Sequence, residues 1–230
     1  MSTATRTDQD QTADGLFARL DASIGALWAG AERRPFWRRI VSEGWDRAAY
    51  RRTMIQIFHY TRHNSVNQAA AAFRADPDDL PLLRFIYGHA KEELGHERLA
   101  LHDLRSLGLV AEDGSDIDPP LPATDALINY LYGVVLRDGP VPRLGYSYWA
   151  ESVYPHIAPL LRAARSSLGL ADRDMTFFVA HAEVDAGHAE QVRAAIRRAA
   201  TTPARADAIH RVAVTSLWLT LELLEQAVGS

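Results

Sequence analysis

From Asp14 onward, apolar residues recur at intervals of three and four: Leu16, Leu20, Ile24 and Leu27, then Trp37, Ile40 and Val41, then Tyr50, Met54, Ile57 and Phe58. Each helical residue advances about 100° around the axis, so this spacing gathers them into one stripe of an α-helix. No run with the two-residue period of a strand competes. Glycine and proline punctuate the pattern at Gly30, Gly44, Pro77, Gly108, Gly114, Pro119 to Pro122, Gly139 to Pro142, Gly169 and Pro203. The breaks leave helical segments over about 14–30, 34–43, 46–75, 78–107, 122–138, 141–168, 171–201 and 203–228. Helices near thirty residues reach about 45 Å and suit a bundle, so the expectation is an all-α fold. Pro81, Pro155 and Pro159 each remove a backbone N–H within these segments and predict kinks or boundaries there. Residues 1–13 carry almost no apolar side chains and read as a flexible tail. The stretch 108–122 reads as a loop rather than a boundary, which leaves 14–230 as a single helical domain.

Composition narrows the chemistry. The chain has 230 residues, 47% of them hydrophobic, and a formal charge of −4, enough to bury one ordinary core. With a pI near 6.1 it offers no basic footprint, so nucleic acid is not an expected partner. The absence of cysteine removes disulfides, thiolate metal sites, iron–sulfur clusters and thiol nucleophiles together. The apolar stretches are too short to cross a membrane, and the N-terminus lacks a secretory apolar core, which predicts a cytoplasmic protein with no membrane partner. For metal chemistry there remain histidine, aspartate and glutamate.

These residues recur in a repeat. His89-Ala90-Lys91-Glu92-Glu93-Leu94-Gly95-His96 and His181-Ala182-Glu183-Val184-Asp185-Ala186-Gly187-His188 share the pattern H-A-x-x-[ED]-x-G-H. On a helix, positions i, i+4 and i+7 share a face, so each octet is expected to project two imidazoles and one carboxylate together. A first-row divalent ion needs such nitrogen and oxygen donors converging on one point. Glu93-x-x-His96 and Asp185-x-x-His188 match the carboxylate-x-x-His element that di-iron and di-manganese bundles place on two helices. That template takes one further carboxylate from each of two other helices. Glu151, thirty residues before His181 and in the apolar setting Tyr148-Trp149-Ala150-Glu151-Ser152-Val153-Tyr154, supplies the first. The repeat then points thirty residues before His89, to His59, an imidazole where the template has a carboxylate. Gly95 and Gly187 are each expected to permit close helix approach beside the metals.

Plainer roles suit other residues. His102, His156 and His210 fit satisfied core histidines, Glu92, Glu97, Glu183 and Glu190 fit solvated helix faces, and the run Tyr146, Tyr148, Trp149, Tyr154 fits core packing. His59 and His89 fit either as ligands or as donors that orient a neighbouring ligand.

The run His89 to Leu104, with Glu151 and then His181-x3-Asp185-x2-His188, resembles the haem-oxygenase-like non-haem di-iron oxidases and oxygenases, relatives of the thiaminase-type and pyrroloquinoline-quinone synthase folds. The resemblance covers roughly residues 35–200. It implies a haem-oxygenase-like bundle of about seven helices, often dimeric, around a central dimetal cavity. By position, Glu93, His96, Glu151, His181, Asp185 and His188 match the family's ligands, while the first-helix glutamate of many members is replaced by His59. It further implies two Fe(II) ions with O2 as cosubstrate, an external electron donor, and catalytic roles for Glu93, Glu151 and Asp185. Manganese suits the same donors. The expected pairing sets Glu93 or Glu151 as the bridge, Asp185 with His181 on one ion, and His96 with His188 on the other.

The leading expectation is therefore an O2-dependent oxidoreductase that abstracts hydrogen from a small molecule, leading to desaturation, cyclisation or fragmentation. Tyr60, His63, Asn64, Asn67 and Tyr148 are the expected substrate contacts, and their polarity favours an amino acid. N-oxygenation of an amine by the same core is the alternative reaction. A ferritin-like storage bundle is the alternative from another class, and a large closed shell would distinguish it from a homodimeric enzyme.

Overall fold

The computed structural model describes the backbone of residues 3–229 and their side chains except those of 3–9 and 183–186. Among these residues ten α-helices and two short 3-10 turns form, and no strand. They are α1 (Thr3–Glu32), α2 (Pro35–Glu43), α3 (Arg47–Ala70), α4 (Leu80–Glu92), α5 (Glu97–Ser106), α6 (Pro122–Arg137), α7 (Pro140–Ala150), α8 (Tyr154–Leu168), α9 (Thr176–Ala199) and α10 (Pro203–Val228). The segment read as a tail is helical from Thr3, and Ala13 within it is fully buried.

The count exceeds seven partly because two expected long helices divide. The segment 78–107 breaks between α4 and α5, where Gly95 adopts φ 94°, a conformation that a Cβ disfavours. The segment 141–168 breaks after Ala150, and α8 restarts with Pro155 in its first turn, where the missing N–H leaves no helical bond unmade. Both breaks carry candidate ligands: Glu93 and His96 in the first, Glu151 in the second.

Two features fix the helices that carry these breaks. α7 packs along α10, and a Cβ on Gly145 would lie 2.1 Å from the carbonyl oxygen of Ile209, so only glycine permits this approach. The indole N–H of Trp149 then donates to Ser216 Oγ at 2.9 Å, holding the end of α7 against α10. On the other side, buried Asp103 of α5 accepts from the backbone N–H groups of Thr176 and Phe177, each at 2.9 Å, and from the Thr176 hydroxyl at 2.6 Å. A carboxylate thus caps α9 from a neighbouring helix, a contact class worth about 0.5–2 kcal/mol. It sets α5 and α9, and with them the two octets, in register.

Candidate metal centre

Four helical segments deliver donors to one buried region. His89 sits on the last turns of α4, Glu93 and His96 in the turn to α5, Glu151 at the end of α7, and His181 and His188 on α9. One group joins His89, Glu93, Glu151 and His188, a second joins Glu93, His96 and His181, and within each group the candidate ligand atoms lie within 4.8 Å of one another. Glu93 belongs to both. The imidazoles of His89 and His188 stand 5.1 Å apart between ring centroids, and those of His96 and His181 stand 4.6 Å apart. The first histidine of each octet therefore meets the last of the other, as two antiparallel rods require. The expected partnership of His96 with His188 is replaced by this arrangement. The side chain of Asp185 lies outside the described residues.

In the cluster each buried carboxylate is paired with histidine. His89 Nε2 lies 3.0 Å from one Glu151 oxygen and His188 Nδ1 lies 3.3 Å from the other. Burial works against the charge on Glu151, but bonds from His188 and His89 outweigh it and hold the carboxyl at about 2. Glu93 is likewise resisted by burial and held below the usual range by His96 and His89. In return Glu151, against burial, raises His188 to about 8, and Glu93 raises His96. Among the described residues no lysine or arginine forms an ion pair with either carboxylate. His181 is lowered by burial; its Nδ1–H donates to the Phe177 carbonyl at 2.7 Å, which leaves the Nε2 lone pair free to coordinate. Nδ1 of His89 is buried without a hydrogen-bond partner, and Nδ1 of His96, likewise buried, has the Glu93 carboxylate at 3.6 Å, beyond hydrogen-bond length. Four imidazoles, two buried carboxylates and orphaned ring nitrogens fit a pair of divalent ions.

A cavity of about 130 Å³ opens on Glu93, Glu151 and His181. Tyr60 and Asn64 of α3 and Tyr146 of α7 form its polar side near the carboxylates, and the remainder of the wall is mainly Trp, Leu, Ile and Phe. Burial raises the Tyr60 phenol, and Glu93 adds to that shift, so Tyr60 stays protonated.

The expected substrate contacts divide. Tyr60 and Asn64 line the cavity. His63 bonds Tyr132 instead, at 3.1 Å, and Asn67 accepts from Arg143 Nε at 2.6 Å. The Tyr148 hydroxyl donates to Asp21 at 2.6 Å and accepts from Arg193 at 2.7 Å, a tie among α1, α7 and α9 rather than a cavity contact. His59 points to the loop before α6, with Nε2 2.7 Å from the Asp118 carbonyl; the cavity face of α3 carries its neighbour Tyr60, about 100° further round. His59 joins neither donor group among the described residues, whereas His89 joins the one with Glu93, Glu151 and His188.

Two residues escaped the sequence reading. Glu92, taken as a solvated charge, lies 3.1 Å from His188 Nε2. Arg143 is buried, bonded to Asn67 and Ser147, and burial lowers its guanidinium to about 10 although Tyr146, Glu93 and Glu151 favour its charge. Its i+4 spacing to Ser147 was legible; its burial was not.

A family model described as "Iron-containing redox enzyme" matches residues 51–220, a span that contains every donor named above. The chain belongs to the iron-containing redox enzyme family. In keeping with that family, a solved domain of unknown function with a heme oxygenase-like fold from Shewanella denitrificans is 38% identical, with a TM-score of 0.87 over 92% of this chain and 91% of that one. TenA homologues from P. horikoshii (16% identity, TM-score 0.72, 93% of this chain and 98% of that one) and Pseudomonas syringae (13%, 0.75, 93% and 92%) share the fold. No curated protein matches the sequence. The fold is thus the haem-oxygenase-like all-α bundle, not a plain ferritin-like frame. No helix among the described residues is long and apolar enough to cross a membrane.

Proposed function

We propose that this family member is a non-haem di-iron oxidoreductase that uses O2 to oxidise a small molecule at a C–H bond. The observation that carries the reading is Glu93, one carboxylate common to two groups of histidine and glutamate donors. His89, Glu151 and His188 would hold one ion, His96 and His181 the other, and Glu93 would bridge them. Asp185, on α9 between His181 and His188, is retained as a further ligand. Bound as a ferrous pair, the iron would supply the electrons that activate O2, and the same donors accept manganese.

The protein's own residues prepare the site. The Phe177 carbonyl fixes the tautomer and orientation of His181. Ion binding competes with the proton that Glu151 favours on His188, raised to about 8, so the carboxylates exchange one positive partner for another. Tyr60 keeps its proton beside Glu93 and offers a hydrogen-bond donor on the cavity side. Tyr146 donates to Asn64 Oδ1 at 3.0 Å, which orients the Asn64 amide N–H2 for a substrate acceptor. The polar side of the cavity suits the head of an amino acid, and the apolar wall suits its hydrocarbon. Desaturation removes two hydrogens from the substrate; with two electrons and two protons from an external donor, O2 leaves as two waters.

The test is anaerobic titration with Fe(II) followed by stopped-flow mixing with O2. A transient visible absorbance that saturates at about two irons per chain supports the reading. Saturation at one iron, or no absorbance at any loading, contradicts it.

A further inference from the structure

Arg143, in the first turn of α7, is a buried cation with no anion beside it. It is 3% exposed. Its Nε–H donates to Asn67 Oδ1 at 2.6 Å, Nη1 to Ser147 Oγ at 3.0 Å and Nη2 to the Asn64 carbonyl at 3.5 Å, and the guanidinium lies over the Tyr146 ring, 5.3 Å from its centroid. Each of these partners is neutral. Arg34 and Arg51, by contrast, are partly exposed and each meets a carboxylate. Among the described residues no carboxylate forms an ion pair with Arg143, and Glu93 and Glu151 are paired with histidines instead. Neutral acceptors offset only part of the cost of burying a charge, so such a group calls for a use.

The fold places that charge near the donor groups without letting it bond to them. Arg143, Ser147 and Glu151 follow at i, i+4 and i+8 on α7 and share a face, and the bond to Ser147 turns the guanidinium toward the Glu151 end. Ser147 precedes Glu151 by one turn, about 6 Å of rise. On α3, Asn64 lies one turn beyond Tyr60, whose phenol is shifted by Glu93. The guanidinium thus ties α3 to α7 about a turn from Glu151, and Glu93 and Glu151 both favour its charge. The effect is mutual. A fixed positive charge at this place resists every further positive charge gathered on the two carboxylates, and unlike a proton on histidine it is not displaced when an ion arrives.

We infer that Arg143 is a positioning residue that sets the electrostatic balance of the metal centre: its fixed charge between α3 and α7 opposes each positive charge added there and so favours the ferrous over the ferric state. The inference rests on the proposed function, because it needs ions at Glu93 and Glu151. It assigns two tasks to one side chain. The bonds to Asn67, Ser147 and the Asn64 carbonyl hold the polar wall of the cavity in place, and the charge acts on the centre at a distance.

The test is equilibrium binding of Mn(II) to the metal-free full chain, followed by the EPR signal of the free ion. Arg143→Gln removes the charge and keeps an amide donor for Asn67, whereas Arg143→Lys keeps the charge and loses most of the bonds. Arg143→Gln is expected to tighten Mn(II) binding about tenfold, and Arg143→Lys to leave it within about twofold of the unsubstituted chain. A role in packing alone would weaken binding in both. In the iron-loaded protein the Fe(III)/Fe(II) midpoint of Arg143→Gln should fall by about 59 mV, the equivalent of tenfold for one electron. If Arg143→Gln does not fold, Arg143→Met combined with Asn67→Leu removes donor and acceptor together and carries the same expectation. Unchanged or weaker Mn(II) binding in the charge-free variant, or an equal change in Arg143→Lys, overturns the inference and leaves the metal reading intact. An unsubstituted chain that binds no Mn(II) overturns the metal reading and the inference with it.

Discussion

The octets 89–96 and 181–188 spell nearly the same pattern, yet they use different backbones. The second lies wholly within α9, whereas the first crosses from α4 into α5 through a turn in which Gly95 takes φ 94°. In the turn, Glu93 is the C-cap of α4 and His96 the N-cap of α5, which frees Glu93 from the helical register that constrains a mid-helix residue. It is Glu93 that joins both donor groups. The two glycines differ accordingly. Gly95 is required by its conformation, while a Cβ at Gly187 would meet nothing within 4 Å. Neither permits the close helix approach that their shared position suggested, and that role belongs to Gly145.

If Glu93 serves both ions and the other donors serve one each, substitutions should separate by effect. Glu93→Gln is expected to abolish binding at both positions and lower O2-dependent turnover by about 100-fold or more, at the upper end of what a lost metal contact costs. His96→Ala and His89→Ala should each leave about one iron per chain by anaerobic equilibrium dialysis. Equal stoichiometry in all three variants would remove the distinction between the shared residue and the others.

The protons on the site give a pH dependence of intermediate size. His188 is raised to about 8 in the metal-free chain, and an ion must displace its proton. Apparent Fe(II) affinity should therefore rise about tenfold per pH unit up to about pH 8 and level off above it. The same shift works in the opposite sense on the metal-free fold. A histidine whose folded value lies above its unfolded one contributes stability that is complete below about pH 6.5 and lost as pH rises through about 8. Affinity curves and denaturant midpoints measured across pH 6–9 check both signs.

The smallest effects test the glycines. Gly95→Ala should destabilise by about 1–2 kcal/mol, because the new Cβ meets its own backbone at positive φ. Gly187→Ala should stabilise by about 1 kcal/mol or less, since alanine favours a helix interior and space is open. Urea unfolding of the metal-free variants distinguishes them, and equal shifts would mean that the two octets share one backbone after all.

Much of this site was legible because ligand chemistry restricts residue type and helices restrict spacing. His89, Glu93, Glu151, His181 and His188 stand out by type, spacing and apolar setting, and the structure brings them together with His96. Direction along the chain was harder to read. A repeat does not say whether its copies run parallel, so His96 was matched with His188 when the antiparallel arrangement gives it His181. Nor does helical periodicity reveal an interruption of a few residues, and the 78–107 and 141–168 segments were read as continuous across the turns that hold Glu93 and Glu151. His59 fails by phase around its own helix: its ring meets the Asp118 carbonyl, and Tyr60, the next residue of α3, takes the cavity side. Asp103 and Arg143 act through tertiary neighbours, which no local pattern encodes.

The central claim is that Glu93 is common to two ions. Its most direct measurement is anomalous diffraction from crystals soaked anaerobically with Mn(II). The account predicts two peaks about 4 Å apart, both bonded to Glu93, with His89, Glu151 and His188 around one and His96 and His181 around the other. A single peak, or two peaks that leave Glu93 bonded only to His96, would contradict it.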